Sequence, residues 1–395
     1  MSLSVQSLLA AVAAPPIAEA QGWVKDRSFP SDRPLIDVCQ AVPGYPPPDD
    51  LVRFMARAIT EPATHRYTDI AGLPALREAL AVDIRQVYGA DGVGAGNVLV
   101  TAGCNQAFCL AVSALAGAGD EVILPLPYYF NYRMWLDMNG VTARHVAFQP
   151  AAQGVPDLAE IAAAIGPRTR AVILISPNNP TGAVYPPAFL HAAFELCQAR
   201  GVALVLDETY RDFRPDDDPP HGLFQRPDWA GTLVHLYSFS KVFCLTGHRV
   251  GAIVAAPELL DQVAKAMDCV AICAPHLGQR AAAWGLDALG AWRAGNTALM
   301  RGRLAALREA LAQHSGGYDI VSAGAYFAYL RHPHAGQTSA SVARRLADQQ
   351  NLLSLPGSMF GPGQDEYLRV AFANVDAAVM SAIAERLASD AADPF

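Results

Sequence analysis

The chain has 395 residues, a formal net charge of −8 at pH 7 and a hydrophobic fraction of 52%. A chain this apolar is not wholly disordered, and its scattered acidic and basic residues argue against a nucleic-acid-binding surface. Its apolar runs are shorter than the roughly 20 residues that span a bilayer, which argues against a membrane protein. The seven cysteines include no C-x-x-C pair and the N terminus makes a poor signal peptide, so we expect reduced thiols in a cytoplasmic protein.

Short apolar runs alternate with helical patterns between residues 73 and 290. The predicted strands are Val98–Thr101, Glu121–Leu124, Ala171–Ile175, Val202–Leu206, Thr232–Ser238 and Val250–Ala255. The helical patterns between them include Leu73–Tyr88, Cys104–Ala116 and Pro187–Arg200. Because continuous apolar strands that alternate with helices are typical of sheets buried on both faces, we predict an α/β fold with a mainly parallel sheet.

The pattern changes from Trp292 onward. A long helix is followed by a strand at Tyr326–Arg331, a helix at Ser339–Gln349, a strand at Tyr367–Ala371 and a helix from Asp376. This order predicts a smaller α+β domain, joined by the Pro-rich segment around residues 43–48. We therefore expect a large domain at 50–288 and a small domain made of 1–49 and 289–395.

Lysine is rare in this chain, and one of its three lysines has an unusual position. Lys241 follows a predicted strand at its carboxyl end, where open α/β sheets bind ligands, whereas Lys25 and Lys265 do not. A desolvated amine at that edge has a lowered pKa and can act as a Schiff-base nucleophile. Taken alone, Lys241 is better explained as a lysine at a strand end that points into solvent.

Three nearby residues predict a phosphate site beside Lys241. If the strand continues, Ser238 and Ser240 lie on one of its faces and Lys241 lies on the other. Arg249 follows eight residues after the lysine. Two hydroxyl groups and a guanidinium suit a phosphate ligand.

These residues form part of a larger pattern that resembles a known enzyme family. The motifs are YTDIAG at 67–72, SPNNPTG at 176–182, LDETY at 206–210, SFSK at 238–241 with Arg249, and YLRVAF at 367–372. In this order they resemble the class I/II aminotransferases, which depend on pyridoxal 5'-phosphate (PLP). The resemblance implies PLP fold type I, with a mainly parallel seven-stranded sheet between helices and a smaller α+β domain.

The resemblance also implies a role for each matched residue. Lys241 would hold PLP as a Schiff base, and Asp207 would pair with the pyridine nitrogen; an N-cap of the next helix is the structural alternative for Asp207. Tyr210 and Asn179 would hydrogen-bond the phenolic oxygen of the cofactor. Arg369 would bind the α-carboxylate of the substrate, with Asn179 nearby.

Other positions complete the expected site. The backbone of Gly103, Cys104 and Asn105, at the start of a helix, can bind the phosphate group. Tyr129 is similar to the aromatic residue that stacks on the cofactor ring, although Tyr128, Phe130 and Tyr132 leave that assignment open.

Two further residues bear on the partner and the substrate. Tyr67 is similar to the tyrosine that reaches the phosphate of the partner subunit, which implies a homodimer. Ala41-Val42-Pro43 stands where the family usually has Gly-x-Pro, and we expect Ala41 in place of glycine to narrow the substrate pocket.

The implied reaction is a ping-pong transfer of an amino group from an L-amino acid to a 2-oxo acid. The aromatic run at 128–132 and Ala41 favour a neutral or aromatic amino acid, whereas Arg280 keeps a dicarboxylate substrate open. A PLP-dependent lyase, decarboxylase or amino-acid oxidase remains an alternative on the same fold. A PLP-binding regulatory module is disfavoured because the segment before residue 50 is too short for an added DNA-binding domain.

Overall fold

The computed structural model describes residues 3–392, so the terminal residues 1–2 and 393–395 of the predicted small domain lie outside the described residues. The strands are β1 (Ile36–Asp37), β2 (Val98–Thr101), β3 (Glu121–Ile123), β4 (Thr142–Arg144), β5 (Thr169–Ile175), β6 (Ala203–Asp207), β7 (Leu233–Ser238), β8 (Gly251–Val254), β9 (Asp319–Gly324), β10 (Phe327–Arg331), β11 (Leu352–Leu353), β12 (Leu355–Pro356) and β13 (Tyr367–Ala371). The helices are α1 (Ser7–Ala11), α2 (Pro16–Gly22), α3 (Asp49–Ala58), α4 (Pro74–Tyr88), α5 (Cys104–Leu115), α6 (Phe130–Met138), α7 (Leu158–Ala164), α8 (Pro187–Arg200), α9 (Phe239–Val242), α10 (Pro257–Ala271), α11 (His276–Ala288), α12 (Gly290–Gln313), α13 (Ser339–Gln350) and α14 (Met380–Ala392).

The larger sheet has seven strands in the order β2-β8-β7-β6-β5-β3-β4. Only β8 runs antiparallel to its neighbours, so the prediction of a mainly parallel sheet is confirmed. Apart from the exposed edge strand β4, its strands are mainly apolar and buried because helices cover both faces. The parallel strands β5, β6 and β7 end at the same edge, with Ile175 beside Asp207 and Asp207 beside Leu236.

A second sheet has the order β12-β13-β10-β9 and is antiparallel throughout. It packs on α12, α13 and α14 around a separate apolar core. The N-terminal strand β1 pairs with β11 beside this core, which connects the start of the chain to its last third. A short 3-10 turn at Ala377–Val379 precedes α14, so the last helix begins four residues after the predicted start at Asp376.

No helix within residues 3–392 is long and apolar enough to cross a membrane.

Candidate active site

A cavity of about 250 Å³ opens at the carboxyl edge of the seven-stranded sheet. Residues from β5, β6, β7, α5 and β13 line it together with the N-terminal segment. Of the predicted site residues, the lining includes Ala41, Cys104, Asn105, Tyr129, Asn179, Asp207, Tyr210, Ser238, Ser240, Lys241, Arg249 and Arg369. The fold therefore brings together residues that lie up to 328 positions apart, from Ala41 to Arg369.

Asp207 ends β6 and presents a buried carboxylate to this cavity. Its Oδ2 atom accepts a hydrogen bond of 2.5 Å from the Tyr132 hydroxyl. Its Oδ1 atom accepts bonds from the Thr209 amide at 2.8 Å and the Thr209 hydroxyl at 2.7 Å, and lies 3.5 Å from the Cys104 thiol. Asp207 thus closes its own turn at Thr209 while it also faces the cavity, and the alternative of an N-cap is wrong because Tyr210 occupies the N-cap of the next helical turn.

Lys241 lies in the short helix α9, directly after β7. Its Nζ atom donates a hydrogen bond of 2.5 Å to the carbonyl oxygen of Ala41. Burial lowers the pKa of this amine to about 8, and the positive charges of Arg249 and Arg369 act in the same direction. A substantial fraction of the amine is therefore neutral, and nucleophilic, at slightly alkaline pH.

The predicted alternation of Ser238 and Ser240 against Lys241 along one strand is wrong. The strand ends at Ser238, whose hydroxyl caps α9 by accepting the Ser240 amide at 3.2 Å. Because serine hydroxyls compete for backbone amides, the chain turns into a helix at this point. All three side chains still line the cavity.

The Arg249 guanidinium lies at the first turn of α5. Its Nη1 atom donates to the Thr246 carbonyl at 2.9 Å, and its Nη2 atom is 3.4 Å from the Ala102 carbonyl. Gly103 caps α5 with φ +86°, and a methyl group there would lie 2.2 Å from Arg249 Nη2. The open amides of a helix start and an adjacent guanidinium form an anion site at this end of the cavity.

Arg369 occupies the other end of the cavity and is 1% exposed. Its Nη1 atom donates to Asn179 Oδ1 at 2.9 Å, its Nη2 atom donates to the Cys39 carbonyl, and Phe327 and Phe360 lie on its flanks at 5.1 and 5.0 Å. Within residues 3–392 it makes no salt bridge, and its Nε atom has no hydrogen-bond partner.

Burial lowers the pKa of Arg369 to about 10. A buried guanidinium without a counter-ion is costly, so this position is built for an anion that comes from outside the chain.

The aromatic run at 128–132 is divided among different surroundings. Tyr129 lines the cavity, whereas Tyr128 packs beside His145 and Phe130 packs against Phe360. Tyr132 lies behind Asp207, because α6 begins at Phe130 and turns the side chains to different sides. Of the four aromatic residues in this run, only Tyr129 lines the cavity, so only Tyr129 is placed to contact a ligand there.

Two predicted residues lie away from the cavity. Tyr67 is 75% exposed and is not among the residues that line the cavity. Arg280 forms a salt bridge of 2.7 Å with Glu61 and donates to Thr64. Arg280 is therefore not a cation of this cavity.

The sequence interpretation missed several residues of the site. Tyr132 follows Tyr129 by one helical turn, and Thr209 follows Asp207 at the spacing of a side-chain-capped turn, so both had a local signal. Gln40 and Val42, which flank the predicted Ala41, also line the cavity, whereas Ile17 of α2 had no signal because only tertiary packing brings that helix there.

The charged groups of the cavity have complementary chemical roles. An anion site at Arg249, a second anion site at Arg369 and a nucleophilic amine at Lys241 surround one buried carboxylate, Asp207.

A family model for class I and II aminotransferases matches residues 33–387. The chain belongs to this family. It is a PLP-dependent aminotransferase by family, and its fold is PLP fold type I.

Individual aminotransferases cover nearly the whole chain. The aromatic aminotransferase ISS1 of Arabidopsis thaliana is 30% identical over 89% of this chain and 88% of its own length. The arginine–pyruvate transaminase AruH of Pseudomonas aeruginosa is 31% identical over 83% of each chain. The aspartate aminotransferase of Thermus thermophilus, solved with maleate, has a TM-score of 0.90 at 25% identity and covers 98% of this chain and 100% of that one.

Proposed function

We propose that this aminotransferase moves an amino group from a neutral or aromatic L-amino acid to a 2-oxo acid by a ping-pong reaction, with PLP bound at Lys241. The observation that carries the proposal is the set of charges in the cavity. Among the described lining residues the cations are Lys241, Arg249 and Arg369, and the only carboxylate is Asp207. Each of these four groups has a partner in PLP or in the α-carboxylate of an amino acid.

The residues present fit PLP at the sheet edge. The start of α5, Arg249, Ser238 and Ser240 surround the space for a phosphate. When bound, PLP supplies an electron-withdrawing ring that stabilises negative charge at the α-carbon of the substrate. Asp207 would hold a positive charge on the ring nitrogen, since about 4 kcal/mol of attraction is available at 4 Å and an effective dielectric constant near 20.

The residues around the substrate have separate tasks. Arg369 would bind the α-carboxylate and is already oriented by Asn179 and the Cys39 carbonyl. Released from the cofactor, Lys241 would remove the α-proton and return it, because a pKa near 8 suits a general base close to neutral pH. Tyr210 and the Asn179 amide would hydrogen-bond the cofactor's phenolic oxygen, and Tyr129 would lie against its ring.

Within residues 3–392 of this chain, the N-terminal wall of the cavity offers the substrate side chain no further cation. That wall is formed by Ile17, Gln40, Ala41 and Val42, none of which carries a charge that could pair with a distal carboxylate. Arg280 is already paired with Glu61. The likeness to an aromatic aminotransferase supports a neutral side chain, whereas the aspartate aminotransferase relatives make the dicarboxylate the alternative to be tested.

The test is a half-reaction screen in which the holoenzyme is mixed with single amino acids and the spectrum of the cofactor and the released 2-oxo acid are followed. We expect kcat/KM for phenylalanine, methionine or alanine to exceed that for aspartate. A preference for aspartate or glutamate of more than about 100-fold, or roughly 2.7 kcal/mol, would reject the neutral pocket. Release of carbon dioxide instead of a 2-oxo acid would favour a decarboxylase, and release of ammonia and peroxide together with a 2-oxo acid would favour an oxidase.

The position of the cofactor has an independent test. Borohydride reduction of the holoenzyme, followed by peptide mapping, should place the pyridoxyl label on Lys241. The other two lysines, Lys25 and Lys265, serve as internal controls in the same digest. Label on either of them would reject the cofactor site.

We also propose a homodimer in which Tyr67 reaches the cofactor phosphate of the partner subunit. Tyr67, Ile70, Val270 and Ile272 are all exposed, and the two segments that carry them meet where the Thr68 amide donates to Cys273 Sγ at 3.4 Å, which supports an interface at this surface. Sedimentation should give a dimer at micromolar concentration, and Tyr67→Phe should weaken PLP binding without changing the sedimentation coefficient. A fully active monomer would contradict the shared site.

The separate cores of the two sheets support a division into a large domain at 50–288 and a small domain at 1–49 with 289–395.

A further inference from the structure

A second cavity, of about 330 Å³, is lined by residues 182–184 of the loop whose Asn179 lines the catalytic cavity. We name it the β9 cavity because residues 320–324 of the edge strand β9 form one wall. Helix α12 forms the opposite wall, and the segments at 153–155, 182–184 and 213–215 close it. This volume is at the lower end of the roughly 300–1,000 Å³ of small-molecule sites.

The charged side chains of the β9 cavity have one sign. Arg214, Arg301 and Arg308 line it, and no aspartate or glutamate does so within the described part of the chain. Arg301 is held by Asp217 and by the Arg214 carbonyl. Arg308 is exposed on α12, and its one hydrogen bond among residues 3–392 is a long contact of 3.5 Å to the Ala323 carbonyl.

Arg214 adds an unsatisfied donor. The residue is 8% exposed, and its two terminal nitrogens bond to Asp216 and to the Asp218 carbonyl. Its Nε atom is buried without a hydrogen-bond partner in the described structure. Because this atom has almost no exposed surface and Asp216 pairs the charge of Arg214, we expect Arg214 to contribute a polar wall and Arg308 to be the cation available to an anion.

The remaining surface of the cavity is apolar or backbone. Val155, Val184, Phe213, Leu304 and Ile320 contribute its apolar part. Strand β9 pairs only with β10 within the described residues, so its outer backbone amides are open to a ligand. An acceptor group and an apolar body would therefore find complementary groups in the same space.

We propose that the β9 cavity binds a small carboxylate with an apolar chain, with Arg308 at the carboxylate and the apolar wall around the chain. The site is distinct from the catalytic cavity and shares no lining residue with it. Its ligand class does not depend on the proposed amino-acid substrate.

The β9 cavity is coupled to the catalytic cavity through two contacts. Gly182 ends the loop that contains Asn179, and it packs so closely on Gly324 that a methyl group at Gly182 would lie 2.3 Å from the Gly324 amide nitrogen. Phe213 packs on Tyr326, whose ring is 5.3 Å from that of Tyr210. A ligand in the β9 cavity holds both sheets in one relative position, so we expect it to lower kcat.

The binding test uses hexanoate and its neutral analogue hexanamide on the holoenzyme, measured by calorimetry. We expect hexanoate to occupy a site whose affinity falls about tenfold in Arg308→Gln, the effect of losing one charge-assisted hydrogen bond. Arg200→Gln, which changes another exposed arginine at the end of α8, is the matched control and should bind as the wild type does. Val184→Phe, which fills the cavity without changing its charge, should also weaken binding.

Three results would overturn the assignment. The first is hexanoate affinity within twofold of the wild type in both Arg308→Gln and Val184→Phe. The second is equal affinity for hexanamide, which would remove the role of Arg308. The third is displacement of hexanoate by inorganic phosphate alone at similar concentration, which would show an anion site without an apolar component.

The coupling is tested by kinetics with both substrates saturating, so that competition at Arg369 is relieved. We expect hexanoate to lower kcat in the wild type and in Arg200→Gln but not in Arg308→Gln. An unchanged kcat in the wild type while calorimetry shows occupancy would refute the coupling. Because binding is measured without turnover, failure of the proposed substrate assignment leaves the binding result intact.

Discussion

Replacement of Gly103 by alanine tests the anion site at the start of α5. Gly103 has φ +86° and ψ 167°, a region that is essentially restricted to glycine. The added methyl group would lie 2.2 Å from Arg249 Nη2 and 2.9 Å from its Cζ atom, so the guanidinium must move away from the helix start. The substitution therefore strains the backbone and displaces the residue that we expect to bind the phosphate.

The backbone strain and the displacement of Arg249 change two different measured quantities. The backbone strain costs about 1–3 kcal/mol and lowers the free energy of unfolding with or without cofactor. Loss of one charged hydrogen bond from Arg249 costs a further 1.5–3 kcal/mol, roughly, in the PLP complex alone. This second cost corresponds to a dissociation constant for PLP that is about 10- to 150-fold larger.

The assay is a titration of the apoenzyme with PLP, followed by absorbance, together with thermal unfolding of the apoenzyme. Gly247→Ala is the matched control, because Gly247 lies two residues before Arg249 and a methyl group there meets no atom within 4 Å. PLP affinity within twofold of the wild type in Gly103→Ala would refute the placement of the phosphate. Equal losses in both variants would show a general effect of the loop.

Three further outcomes are expected. Asp207→Asn should retain PLP but slow α-proton removal by about 100- to 1,000-fold in single turnovers, since ~4 kcal/mol of attraction to the ring nitrogen is lost; near-normal rates would make Asp207 structural. The rate at which the apoenzyme attaches PLP should rise with pH and level off above pH 8, because the pKa of Lys241 is lowered to about 8, and a rise that continues to pH 10 would contradict this. Although burial opposes its charged form, His221 and His235 hold the pKa of Glu208 below its usual value of 4.5. The wild type should therefore exceed Glu208→Gln in stability by about 1.5–3 kcal/mol at pH 7, an advantage that shrinks as the pH falls below 4.5 and that denaturant unfolding at several pH values measures.

Much of the fold could be predicted from local patterns. The predicted helix at Pro187–Arg200 and the predicted strands at Val98–Thr101 and Tyr367–Ala371 have the bounds that the structure shows. Each is a run whose hydrophobic period and flanking proline or glycine residues already identify it. The antiparallel direction of β8 could not be predicted, because a buried apolar strand has the same sequence pattern whether its neighbours are parallel or antiparallel.

The amino-acid sequence by itself determined which residue types stand at the ends of the strands. It therefore indicated that Asp207 and Lys241 would meet at one edge of a sheet, where Arg249 joins them from the turn before β8. Only the tertiary structure decided which groups surround them. Tyr132 on Asp207, the Ala41 carbonyl on Lys241 and Asn179 on Arg369 each join distant parts of the chain, the last over 190 residues. Local patterns set the conformation of single elements, whereas hydrogen bonds across such separations depend on how the elements pack, and so the charge state and orientation of the site emerge only in the folded chain.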